Sequence, residues 1–173
     1  MKQLKTILFF VLICCNTIGV SSQNITVDDS YTAQQLVENV LVNSSCATVS
    51  NYAASGDTTP VGQNSYGYFT NAGGSFPFKE GVLLSTQYAQ KSIGPYVFDK
   101  GNDNDGTWSG DADLNQALGI SKSINATVLE FDFIPLTNFL SFDYIFASIE
   151  YNDTGSCRFT DAFAFLIKEN SPG

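Results

Sequence analysis

The stretch DKGNDNDGTWSGDADL, residues 99–114, places five carboxylates around the chain's one tryptophan. Oxygen ligands at this density suit a hard cation such as calcium. Asp103-Asn104-Asp105-Gly106 resembles the centre of a calcium loop, where alternating oxygen ligands precede a turn-forming glycine. With Gly106 in that place, the first ligand position falls on Gly101 and the twelfth on Ala112, where a bidentate glutamate belongs. An EF-hand is therefore excluded. A looser calcium site assembled from distant loops stays open, with Asp111, Asp113, Glu150, Asp153 and Asp161 as candidate metal ligands. On an extended GDADL segment, Asp111 and Asp113 would face the same side. A bound ion would offset the mutual repulsion of such a cluster. The competing reading needs no ion, because Asn, Asp and Gly form solvated turns through their own side chains.

Trp108 is the candidate ligand-binding residue, a platform on which a sugar ring would stack. The same indole can instead fold back to plug the end of a β-structure, with its N–H satisfied by the backbone. No histidine occurs anywhere. Its absence removes Ser-His-Asp and Cys-His catalysis and the usual zinc sites, which need imidazole as base or ligand. Carboxylate-pair glycoside hydrolysis survives as an alternative, with acids such as Glu150 and Asp161. The expectation is nevertheless a protein that is not an enzyme.

The elements that would position these residues are mostly strands. One helix is legible: Thr32 followed by Gln35 makes a capping box, and Leu36, Val37, Val40 and Leu41 recur at helical spacing. Candidate strands are residues 48–52, 67–70, 82–86, 127–134, 139–148 and 162–168. In TVLEFDFI, Leu129, Phe131 and Phe133 alternate with Glu130 and Asp132, so one face is buried and one is wet. FLSFDYIFAS repeats the pattern with Leu140, Phe142, Tyr144 and Phe146 inward, and residues 135–138 are a natural hairpin connection. Phe163, Phe165 and Ile167 supply a third aromatic face. With 14 Phe and 8 Tyr, facing strands can fill a core. The expected fold is mainly β: an antiparallel, jelly-roll-like β-sandwich with one short N-terminal amphipathic helix.

Lys2 and Lys5 precede an apolar run from Ile7 to Cys15, too short to cross a bilayer, and VSSQ follows as a cleavage site. Residues 1–22 therefore read as a signal peptide, and residues 23–173 as a single exported domain with no direct membrane span. The chain ends on turn-forming residues directly after a strand, which reads as an end inside a domain. Without Lys2 and Lys5, six basic residues face seventeen acidic ones, a net charge of −11. Such a chain repels nucleic acid and anionic lipid. Cys46 and Cys157 remain after cleavage, and in an exported protein they are expected to form a disulfide. N-x-[ST] tripeptides begin at Asn24, Asn43, Asn125 and Asn152. They are glycosylation acceptors only in a eukaryotic secretory pathway.

Taken in order, YTAQQLVENVLV, GVLLST, Gly94-Pro95, GDADL, ATVLEFDFIPL, LSFDYIFAS and FTDAFAFLI resemble the choice-of-anchor L domain family. The resemblance spans nearly all of residues 30–173. It implies an extracellular module held at the cell surface or released, of the kind found in Bacteroidota-type bacteria with type IX secretion and gliding motility. Three positions depart from the family's usual pattern: Gln87 stands for a glycine, Tyr96 for an asparagine and Ile149 for a glutamate. The leading functional expectation is a cell-surface adhesion or glycan-binding module, ordered by calcium as its one candidate cofactor. Its partner would be a surface glycan or a protein. The alternative is a structural spacer in a larger surface protein.

Overall fold

The computed structural model describes residues 25–43, 45, 47–56, 63–71, 73, 76–94, 108–148 and 161–169. Two antiparallel sheets organise them. The first has three strands in the order β1-β3-β4, formed by Ile25–Asp28, Tyr66–Asn71 and Glu80–Leu84. The second pairs β2, Ala47–Ser55, with β5, Val128–Pro135. The protein is thus a β fold with few helical turns.

The central strand β3 buries Phe69 and aligns Thr70 with Thr26 of β1, where the two hydroxyls lie 2.6 Å apart. Tyr68, stacked on Tyr31 at 4.9 Å, donates its phenolic hydrogen to the Glu80 carboxylate across the β3–β4 ladder. That carboxylate pushes the Tyr68 pKa up to about 12, with desolvation adding to it. An unfolded tyrosine ionises near pH ~10, so the folded protein holds this proton over a higher range. The stability from this contact is complete below about pH 10 and is lost as pH rises toward about 12. Urea midpoints at neutral and strongly alkaline pH should fall less in Tyr68→Phe than in the wild type; an equal fall would show that the contact is not maintained.

Between the strands lies the capped helix. Thr32 and Gln35 satisfy each other's backbone N–H groups as a capping box, worth about 1 kcal/mol. Only Ala33–Gln35 is wound as an α-helix; Leu36–Leu41 widens to a π-turn, closed by the Val42 N–H donating to Val37 O at 2.8 Å. The widening changes which residues face inward. Leu36 and Val37 are fully buried, whereas Leu41 is 42 % exposed. The apolar stripe expected from the spacing is narrower than a regular helix would make it.

Strand β2 carries a bulge. Asn51 takes a positive φ of 54°, and Asn51 and Tyr52 together oppose Phe131 in the β5 register. The Asn51 amide donates to Asp132 Oδ2 at 2.6 Å, which tethers the bulge across the ladder. The Tyr52 hydroxyl, 2.7 Å from Glu38 Oε1, ties β2 to the helical segment. The two sheets meet at a buried polar knot. Thr127 Oγ1 lies 2.6 Å from Ser85 O and 2.7 Å from Ser65 Oγ. With one hydroxyl proton, it donates to the carbonyl and accepts from the serine. Ser85 N in turn donates to Ser65 O, one step beyond the Tyr66–Leu84 pair, so the β3–β4 pairing carries on to the knot, and β4 itself covers Glu80–Leu84 rather than residues 82–86.

Two expected strands are corrected. Residues 139–148 and 162–168 form no ladder, and Leu140, Phe142, Tyr144, Phe146, Phe163, Phe165 and Ile167, expected inward, are 40–70 % exposed. The expected hairpin over residues 135–138 does not form. The β5 ladder runs to β2, and Thr137 bends the chain away by donating its hydroxyl to Phe139 O. Conversely β1 was not expected, although its Ile-Thr-Val-Asp alternation is a strand pattern. The expected signal peptide, Cys46, Cys157 and the disulfide expected between them lie outside the described residues. Among the described residues no helix is long and apolar enough to cross a membrane.

Candidate functional site

The described part of the acidic loop, residues 108–114, leads into a helix that the sequence reading missed. Ala112–Leu118 is α-helical, and Asp111 is its N-cap, accepting from Leu114 N at 2.7 Å. Gly119 ends it in the left-handed region at φ 64°, with Ile120 N bonded to Asn115 O at 3.0 Å and Gly119 N to Gln116 O at 3.3 Å. This is a Schellman close, and a non-glycine residue at Gly119 would be strained. The signals were present: a capping aspartate, a second acid in the first turn and a glycine stop eight residues on.

GDADL is therefore not extended. Asp111 spends a carboxylate oxygen on its own helix, while Asp113 is exposed in the first turn. Asp161 is also exposed and accepts from the Ser148 hydroxyl at 2.9 Å. Glu150 and Asp153 lie outside the described residues, as do residues 99–107. Among the described residues, no three Asp, Glu or Cys side chains gather as a metal cage.

The segment returns on itself. Ser109 and Ile124 form an antiparallel bridge, and Asn125 N and Ala126 N donate to Trp108 O and Ser109 O, both at 3.1 Å. Asn125 is buried with a positive φ of 53°, and its side-chain oxygen accepts from Trp108 N at 3.3 Å. This N-x-[ST] asparagine is thus a structural residue rather than an accessible glycan acceptor. Ser123 Oγ sits 3.0 Å from Asp111 N and 3.3 Å from Asp111 O, pinning the helix start to the returning strand. Gly110 passes so close to Ser123 that an added Cβ would stand 2.0 Å from its carbonyl oxygen.

Within this turn-back lies a cleft of about 520 Å³, lined by Trp108, Ser109, Asn115, Lys122, Ser123 and Ile124 among others. That size suits a small ligand. Trp108 is half-buried, and its indole N–H donates to Ala126 O at 3.0 Å. The N–H is thus satisfied as the folded-back reading expects, and what the indole offers to the cleft is ring surface. Asn115 contributes a buried side-chain oxygen that accepts no hydrogen bond among the described residues. Leaving such an acceptor unpaired costs roughly 1–3 kcal/mol. Asn115, Ser123 and Lys122 were not singled out from sequence. Lys122 had a faint signal as one of only eight basic residues, but the asparagine had none.

A family model for the choice-of-anchor L domain matches residues 24–173. The chain belongs to the choice-of-anchor L domain family. Membership makes it a surface-associated module, hence an extracellular or cell-surface protein. No curated protein matches this choice-of-anchor L domain, and no solved structure matches it either. Of the three departures from the family pattern, Gln87 is described. It is not among the non-glycine residues with positive φ, and its N–H bonds Ser85 Oγ at 3.1 Å, so it sits there without backbone strain. Tyr96 and Ile149 lie outside the described residues.

Proposed function

We propose that this choice-of-anchor L domain is an exported adhesion module that binds a surface glycan in the cleft beside Trp108. The observation that carries the reading is that the Trp108 ring lines the same cleft as Asn115, whose buried side-chain oxygen has no partner among the described residues. A pyranose has an apolar C–H face, which suits an indole, and a rim of hydroxyl donors, one of which would satisfy that oxygen once the Asn115 side chain turns it toward the cleft. Ser109, Ser123 and Lys122 add polar partners around the rim. In the same proposal the two antiparallel sheets are the layers of a jelly-roll-like sandwich, which the buried Thr127–Ser65–Ser85 knot supports. Calcium would act on the acidic loop, with Asp113 as the contributor least committed elsewhere.

The spacer alternative draws on one observation, the indole N–H already paired inside the protein. A glycan array in calcium and in EDTA separates the two. The expected result is a set of related hits that Trp108→Ala weakens by about 30-fold, the loss of a buried aromatic anchor. Hits that need calcium add the ordering ion. An array blank in both buffers makes the domain a spacer.

A further inference from the structure

Residues 139–148 and 161–169 form an apolar ribbon that lies outside the glycan cleft. Phe142 stacks on Phe165 with centroids 3.8 Å apart, and Tyr144 stacks on Phe163 at 5.5 Å. The two pairings run in opposite directions along the chain, and Ser148 bonds Asp161 further along in the same sense. Phe163 and Phe165 meet edge to face, as do aromatic pairs in a core. Yet each of these four rings is 41–62 % exposed. Leu140, Phe146 and Ile167, two residues beyond them, are 58 %, 40 % and 70 % exposed.

We propose that a second copy of this chain covers the ribbon, forming a two-fold symmetric dimer. Three observations favour a copy over another partner. The first is area: seven side chains about half exposed leave roughly 700 Å² of apolar surface at 150–250 Å² each, close to the ~800 Å² per partner of a standard interface. The second is shape. Two antiparallel rows of rings at two-residue spacing are self-complementary, so a two-fold axis through the ribbon brings row against row. The third is charge. The chain is strongly acidic, but none of these seven side chains carries a charge at neutral pH, so two copies can approach here while their other faces repel. No basic or acidic partner is selected by such a face; an equally apolar one is, and the chain carries it.

Sedimentation velocity of the chain as exported should show a monomer–dimer equilibrium between about 1 and 100 µM, the weak end for an interface of this size. Tyr144→Asp or Phe165→Asp should raise the dissociation constant by about 30-fold or more, as for a central aromatic contact. Hydrogen exchange on the unaltered chain gives a readout that no folding defect can mimic: residues 139–148 and 161–169 should gain protection as concentration rises. A monomer throughout that range overturns the proposal, and so does a dimer whose added protection falls elsewhere. The cleft plays no part in these measurements, so their outcome is independent of the glycan reading.

Discussion

Gly110→Ala lowers the melting temperature by about 6–12 °C and moves the emission of Trp108, the chain's one tryptophan. The cause is local and steric. The new Cβ would stand 2.0 Å from Ser123 O and 2.3 Å from Ser123 C, both backbone atoms that cannot swing aside as a side-chain tip would. Separating residues 110 and 123 strains the Ser109–Ile124 bridge and the Ser123 contacts that seat the helix start. Overpacking of this kind costs about 3 kcal/mol at its upper range, and each kcal/mol is worth about 2–4 °C in a chain of this size. The lone tryptophan makes the test self-reporting, because its indole is held by Ala126 O on that same returning segment. An unchanged melting temperature with unchanged emission would falsify the close approach. Ser123→Gly should not rescue the variant, since the nearest clash is with the carbonyl.

Leu36→Ala should cost about 2–5 kcal/mol, whereas Leu41→Ala should cost on the order of 1 kcal/mol or less. Regular α-helical spacing gives a different expectation, because residues 36, 37, 40 and 41 would then share one buried stripe. The π-turn rotates the later residues outward: Leu36 is wholly inaccessible and Leu41 is 42 % exposed. Leu36 is one of the few fully buried side chains among the described residues, so its truncation removes apolar contacts and leaves a cavity. Chemical denaturation of the two variants gives the ratio directly. Equal costs would mean a regular helix with both leucines inside.

The elements legible in the sequence were those whose signal is local. Thr32 and Gln35 form the expected capping box, and the Leu129-Phe131-Phe133 alternation lies in β5, where those side chains are half-buried and Glu130 is exposed. Strands expected at 48–52 and 67–70 sit inside β2 and β3. The Ala112–Leu118 helix is not legible in the same way, because two aspartates at two-residue spacing fit a ligand pair on an extended segment as well as a cap and a first-turn acid. The 139–148 segment failed differently. Its alternation is as regular as that of β5, but period-two hydrophobicity says only that a face can be buried, not that a partner layer meets it.

The candidate site divides in the same way. Trp108 stands out by composition, and an indole near turn residues is noticeable in any sequence. Asn115 does not, because an unpaired oxygen exists only once every nearby donor has been placed. Lys122 and Ser123 come to the cleft through a bridge between residues 109 and 124, a contact that no spacing rule anticipates.

Composition and short-range pattern therefore determined that this is an acidic, histidine-free, strand-rich chain, and the ordered motifs determined its family. Those properties belong to single residues or to neighbours within a few positions, so they survive without knowledge of the fold. Tertiary structure alone decided that Asp111 caps a helix, that Gly110 must lack a side chain beside Ser123, and that seven expected core residues face outward. Each of these depends on which distant segment arrives, and arrival is governed by the summed packing and hydrogen bonding of the whole chain rather than by any local preference.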